Sequence, residues 1–219
     1  MNTKAVIFDL DGVVIHSEQI WYDAMIEFYR EHGKEYSSGI REMLMGTSQQ
    51  FSGQFIKDDL GLGSDWPPEK VITTIIDRVK VGYQNNLRLV DGYMDLMKQI
   101  METDVRRGLA SGARPDLIEH AITEFKLYDH FESTMSGDMV KHPKPAPDVY
   151  LEVAKRLNVE PERCVGIEDS PKGVQSVKAA GMRCVAIPDK FLKDHDAFAG
   201  ADVIREDLTL VTLHDLGIQ

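Results

Sequence analysis

Cysteine is scarce, basic residues are outnumbered, and no long apolar run occurs. The two cysteines form no metal-ligand pattern. Cys164 and Cys184 sit inside the apolar stretches Cys164-Val165-Gly166-Ile167 and Cys184-Val185-Ala186-Ile187, which reads as two buried, reduced thiols. The seven histidines show no mutual spacing that suggests zinc. Against 36 acidic residues stand 25 lysines and arginines, a formal net charge of −11. That balance argues against a nucleic-acid partner, which would require a basic face, while leaving room for a local basic pocket around a small phosphate. Nothing approaches the roughly 18 consecutive apolar residues of a membrane span. Met1-Asn2-Thr3-Lys4 leads straight into a strand pattern, with no space for a signal peptide. The expectation is a cytoplasmic protein without a membrane partner, as a monomer or weak homo-oligomer. Repeats and low-complexity segments are also missing. What remains is an ordinary soluble composition, 42% hydrophobic and 28% charged, in a chain long enough to bury a full core.

The hydrophobic pattern divides the chain. Ala5-Val6-Ile7-Phe8 is a short apolar run followed by a turn, the mark of a buried strand. Ser17 to His32 carries Ile20, Trp21, Ala24, Met25, Phe28 and Tyr29 at helical spacing, with Ser17 as N-cap and Gly33 as stop. Residues from about 40 to 60 and from Pro68 to about 85 predict further helices, the second opened by Pro67-Pro68. From Gly92 onward, helices over 93–101, 115–125, 147–157 and 171–180 alternate with strands over 105–111, 131–135, 163–167 and 183–187. Such alternation predicts an α/β fold with a mostly parallel sheet covered on both faces. The all-helical stretch breaks the rhythm. We therefore expect a Rossmann-like core of residues 1–15 and 88–219 and a small inserted helical cap of residues 16–87.

Phe8-Asp9-Leu10-Asp11-Gly12 is the most informative segment. Alternation along a strand puts Asp9 and Asp11 on one side and Leu10 on the other. Two carboxylates then converge at the carboxyl end of a strand, where open α/β sheets bind their ligands. Such a pair suits Mg²⁺, a hard cation held by one or two carboxylates together with substrate phosphate oxygens. Three more segments lie at predicted strand ends. Strand 105–111 runs into Ser111-Gly112-Ala113, and strand 163–167 ends at Glu168-Asp169-Ser170. The proline-rich loop Lys141-His142-Pro143-Lys144-Pro145-Ala146-Pro147-Asp148 can fix a lysine ahead of a helix. Asp138, His142 and Asp148 in this region read as structural or surface residues.

In order, Asp9-Leu10-Asp11-Gly12, Leu109-Ala110-Ser111, Lys144-Pro145-Ala146-Pro147-Asp148 and Gly166-Ile167-Glu168-Asp169-Ser170 resemble the haloacid-dehalogenase-like superfamily. The likeness is to the small-helical-cap subgroup that includes sugar-phosphate phosphatases, phosphoglycolate phosphatase and β-phosphoglucomutase. It covers essentially the whole chain. The resemblance implies a Mg²⁺-dependent phosphatase acting on a small phosphorylated metabolite. By the same resemblance, Asp9 is the nucleophile that forms an aspartyl-phosphate. Asp11 is the general acid and then base, and its main-chain carbonyl ligates Mg²⁺. Asp9 and Asp169 bind the metal, with Glu168 ligating directly or through water. Ser111 and the Gly112 N–H bind phosphoryl oxygens, and Lys144 supplies the compensating charge and pairs with Asp9. Arg114 is a candidate for the distal part of the substrate.

Some positions depart from the family pattern. His16-Ser17 stands where many relatives have Asp-Ser or Asp-Thr, and Pro143 where they often have glycine. The cap histidine, arginine and lysine of the mutases align with Trp21, Gln49 and Val79, with Arg78 and Lys80 beside the last. A phosphomutase is therefore the second reading. A catalytically silent binding domain on the same fold is the third. Asp11 argues against a haloacid dehalogenase, and no cap lysine suits a phosphonate hydrolase. The leaving group would be read around Trp21, Gly46-Thr47-Ser48-Gln49 and the helix near Arg78.

Overall fold

The computed structural model describes residues 2–44, 47, 49–189 and 196–219. In chain order the strands and α-helices are β1 (Ala5–Phe8), β2 (Ile15–His16), α1 (Glu18–Glu31), α2 (Ser38–Leu44), α3 (Gln49–Asp59), α4 (Pro68–Asn86), β3 (Arg88–Leu89), α5 (Tyr93–Met101), β4 (Arg106–Ser111), α6 (Pro115–Glu124), β5 (Ser133–Ser136), α7 (Asp148–Leu157), β6 (Cys164–Glu168), α8 (Pro171–Ala179), β7 (Arg183–Ala186) and β8 (Val203–Ile204). They form two compact units, one of Met1–His16 with Arg88–Gln219 and the other of Ser17–Leu87.

The first unit is built on a parallel six-stranded sheet in the order β5-β4-β1-β6-β7-β8. The chain fills one side of β1 with β4 and β5, then crosses to the other side with β6, β7 and β8. That reversal places a topological switch point between β1 and β6, the position at which open α/β sheets bind ligands. β1 is apolar on both faces because helices cover both. Ala5 and Ile7 join Val149, Tyr150 and Val153 of α7 and Val174 and Val177 of α8 in one buried cluster. On the opposite face Phe8 meets Tyr93 of α5 and Phe131 edge to face, each with ring centroids 6.0 Å apart.

Two glycines let the helices approach the site strands. A Cβ on Gly108 of β4 would lie 2.4 Å from Val153 Cγ1, and one on Gly166 of β6 would lie 2.5 Å from Val177 Cγ2. No side chain fits in either gap, so α7 and α8 settle directly on the backbone.

The second unit is helical. Ile20, Ala24, Met25, Phe28 and Tyr29 form the buried stripe of α1, and Val71, Ile75, Ile76, Val79 and Tyr83 that of α4. Gly82 permits the contact between them, since a Cβ there would fall 2.3 Å from Ile20 Cγ2.

Several expectations need correction. The single helix from about 40 to 60 is two helices, α2 and α3; Gly46 and Ser48, named as substrate-facing, lie outside the described residues. Ser17 precedes α1, yet its side chain makes no capping bond. The antiparallel pair β2–β3 and the edge strand β8 were not foreseen. Each has two residues, too few for periodicity to register. Both cysteines are buried and unbridged, and burial pushes the Cys164 thiol up to about 12. No helix among the described residues is long and apolar enough to cross a membrane.

Candidate active site

The site grows from strand ends. Asp9 follows β1 immediately, its N–H donating to Ile167 O at 3.0 Å, so its backbone is still tied to β6. The chain then folds back: Gly12 takes φ 75° and donates to Ile15 O at 2.9 Å, which turns Asp11 close behind Asp9. Glu168 is the last residue of β6 and fully buried, and Asp169 follows it. Carboxylate oxygens of Asp9, Glu168 and Asp169 lie within 4.8 Å of one another.

One cation meets this cluster directly. Lys144 Nζ donates to Asp9 Oδ1 at 2.6 Å, Glu168 Oε1 at 2.6 Å and Ala110 O at 3.1 Å. An ammonium has three protons, and all three have acceptors here. The loop that carries Lys144 is fastened at several points. His142 donates its N–H to Asp148 Oδ2 at 3.1 Å, and its Nδ1 lies 3.0 Å from the same oxygen. Ala146 N–H donates to Pro143 O at 3.0 Å, and Ser176 Oγ of α8 donates to Ala146 O at 2.6 Å. His142 and Asp148 thus serve as loop staples.

The electrostatics follow from crowding. Burial pushes the Asp9 carboxyl up to about 8; Lys144 opposes that shift, and Glu168 and Asp11 add to it. Burial alone would lower the Lys144 ammonium, but Asp9 and Glu168 more than offset it and hold it above the usual lysine range. Three carboxylates gather around Lys144 here. Carboxylate oxygens are the donors that a hard divalent cation takes, so these residues fit such an ion.

Ser111 ends β4, one strand away from Asp9. Its Oγ accepts from Ala113 N–H at 2.9 Å, which leaves its own proton to donate. Gly112 is exposed, and a Cβ there would meet nothing within 4 Å. Both precede α6, whose N-terminus favours anions. Arg114 is the residue before α6, and its guanidinium is held by Asp116, with Nε to Oδ1 at 3.1 Å and Nη2 to Oδ2 at 3.2 Å. Its guanidinium is thus already engaged in an ion pair.

Residues 6–187 match the family of haloacid dehalogenase-like hydrolases. The chain belongs to that family. Among its relatives, hexitol phosphatase B of Escherichia coli K12 is 30% identical over 97% of this chain and 96% of its own. Validoxylamine A 7′-phosphate phosphatase of Streptomyces hygroscopicus subsp. limoneus is 28% identical over 98% of both chains. Among solved structures, CbbY from Rhodobacter sphaeroides in complex with phosphate superposes with a TM-score of 0.84 at 25% identity, covering 99% of this chain and 100% of that one. With full-length relatives that are phosphatases, this member of the family is a phosphoric monoester hydrolase.

The structure thus brings Asp9, Lys144, Glu168 and Asp169 into direct proximity, with Asp11 close enough to act on Asp9 electrostatically. Trp21 and Gln49 belong to the helical unit, Trp21 half-buried in α1 and Gln49 opening α3. Val79 is fully buried within that unit. Arg78 pairs with Glu31 and lies over the Phe28 ring at 5.5 Å, so its guanidinium already serves the helical unit's own structure.

Two residues at the site escaped sequence reasoning. Tyr150, on α7, is fully buried and donates to Glu168 Oε1 at 2.5 Å. A tyrosine at an apolar-face position was the available signal, because a buried phenol needs a partner. Gly173, in the first turn of α8, is the other. A Cβ there would fall 1.8 Å from Glu168 Oε2, so the carboxylate occupies the space a side chain would take. Glycine in a helix where alanine is better suited was its signal.

Proposed function

We propose that the chain is a Mg²⁺-dependent phosphatase that hydrolyses a small phosphomonoester, a sugar phosphate or similar metabolite, through an aspartyl-phosphate on Asp9. The observation that carries this reading is Lys144, its side chain only 10% exposed, set among three carboxylates at the switch point of a parallel sheet. Asp9, Asp169 and Glu168, with the Asp11 carbonyl, would hold the cation. When bound, Mg²⁺ offsets charge on the phosphoryl oxygens and on the carboxylates.

The chain's own groups divide the remaining work. The Ser111 hydroxyl and Gly112 N–H hold phosphoryl oxygens at the N-terminus of α6, and Lys144 adds positive charge where negative charge gathers. The Asp9 carboxylate attacks phosphorus as the bond to the leaving oxygen breaks, and Asp11 gives that oxygen its proton. Asp11, now ionised, takes a proton from water as the water attacks the aspartyl-phosphate. Inorganic phosphate leaves and Asp9 is regenerated. Trp21, Gln49 and Arg114 are proposed to read the leaving group, and the helical unit to serve as the cap. The buried, unbridged cysteines fit a cytoplasmic enzyme.

A screen of phosphorylated metabolites for phosphate release with Mg²⁺ tests the reading. Trp21 stands where a mutase would need its histidine, so hydrolysis should win over phosphoryl return. β-Glucose 1-phosphate with Mg²⁺ and a glucose 1,6-bisphosphate primer should yield little glucose 6-phosphate. Efficient glucose 6-phosphate formation with little free phosphate would replace phosphatase by mutase.

The metal assignment has its own test. Asp169→Ala should weaken Mg²⁺ binding by at least on the order of tenfold, with partial rescue of turnover at high Mg²⁺. A calorimetric titration that matches wild type would remove Asp169 from the site. Full wild-type turnover in excess EDTA, after exhaustive metal removal, would end the Mg²⁺ mechanism.

A further inference from the structure

Glu168 is a fully buried carboxylate whose two oxygens are treated unequally. Oε1 accepts two short bonds, from Lys144 at 2.6 Å and from the Tyr150 phenol at 2.5 Å. Oε2 faces Ser170 Oγ at 3.3 Å, long for a bond between a hydroxyl and a carboxylate. The group lies over the hollow left by Gly173, with no room for a side chain beneath it. Tyr150 is itself fixed: its ring is fully buried on α7, and Lys144 Nζ lies 5.1 Å from the ring centroid. One oxygen of Glu168 thus holds two short bonds, while the other has a single, longer one.

We propose that Tyr150 is a positioning residue: together with Lys144 it pins Glu168 Oε1, and so fixes the orientation in which this carboxylate meets the cation or a water on it. The proposal rests on the reading above, in which Glu168 takes part in holding Mg²⁺. Without the phenol, Oε1 would depend on Lys144 alone, and the carboxylate could turn about its last bond. Groups behind a metal ligand act on affinity in this way, by fixing its orientation. Tyr150 touches neither substrate nor metal in this scheme.

Tyr150→Phe deletes one oxygen and keeps the ring. It should raise the Kd for Mg²⁺, measured by calorimetry on the full chain, on the order of 10- to 100-fold. The KM for phosphoester at saturating Mg²⁺ should stay near wild type, and most of the lost kcat should return as Mg²⁺ is raised. A side chain that merely filled the core would shift thermal stability and leave the metal titration in place. In a Glu168→Gln background the same change should add nothing to the Mg²⁺ Kd, because the carboxylate it orients is gone; this double variant also lacks the buried charge whose loss of a donor could hinder folding. Wild-type Mg²⁺ affinity in Tyr150→Phe, alongside weakened affinity in Glu168→Gln, would overturn the proposal alone. Wild-type affinity in Glu168→Gln would overturn both the proposal and the metal role of Glu168.

Discussion

Asp9→Asn should abolish turnover while leaving the fold intact. An amide keeps the shape of the carboxylate but is a poor nucleophile, and Asp9 is the residue proposed to carry the phosphoryl group. The fall should be on the order of ten-thousandfold or more, the scale on which loss of a covalent nucleophile acts. Stability should respond in the opposite sense. Burial, reinforced by Glu168 and Asp11 and opposed by Lys144, raises the Asp9 carboxyl from 3.8 to about 8. Between those values the folded chain holds a proton that the unfolded chain has released, so stability should fall as pH rises through the window. Asparagine has no such proton. In chelator, urea unfolding of wild type across that window should therefore show a downward slope that Asp9→Asn largely removes. Wild-type turnover in a purified, folded Asp9→Asn protein would take the nucleophile role away from this residue.

Gly173→Ala is the second large effect expected, and it runs against the usual rule. Glycine inside a helix normally loses roughly 0.5 to 1 kcal/mol relative to alanine. Here a methyl group would fall 1.8 to 2.2 Å from the three carboxyl atoms of Glu168. The carboxylate would have to leave its place, breaking its bonds to Lys144 and Tyr150 and stranding a buried charge. Breaking one side of a buried ion pair costs about 3 to 5 kcal/mol, well beyond the helix gain. Denaturant unfolding should show this loss, and Mg²⁺-dependent turnover should fall with it. Gly63→Ala, where a Cβ would meet nothing within 4 Å, should unfold like wild type. A Gly173→Ala protein as stable and active as wild type would mean that Glu168 can work from another position.

The sheet was legible because its strands are apolar runs set between helices. β1 reads as buried from four residues, and the proline-opened helices α4, α6 and α8 announce their own starts. The places of Asp9, Ser111, Lys144 and Asp169 were legible because each adjoins a strand or helix end, which a parallel sheet brings to one rim. Less visible were contacts set by depth. That Glu168 lies fully buried under Tyr150 depends on how closely α7 meets β4, and that distance is fixed by Gly108, a residue whose contribution is having no side chain. Sequence patterns report which face is apolar. They do not report which buried hydroxyl will find an acceptor. Arg78 shows the same limit from the other side. The sequence put its helix among those that would read the leaving group, but carried no sign that Glu31 and Phe28 engage its guanidinium.

The small β2–β3 ladder has an architectural consequence. Ile15 pairs with Leu89 and His16 with Arg88, so the chain departs for the helical unit and returns from it at neighbouring positions. Topologically, all of Ser17–Leu87 occupies the place of a hairpin turn. Closing a loop becomes only slowly more unfavourable as it lengthens, so the sheet unit is nearly indifferent to how much chain is threaded through that opening. Evolution can therefore exchange one inserted module for another at this seam without redrawing the strands of the sheet unit.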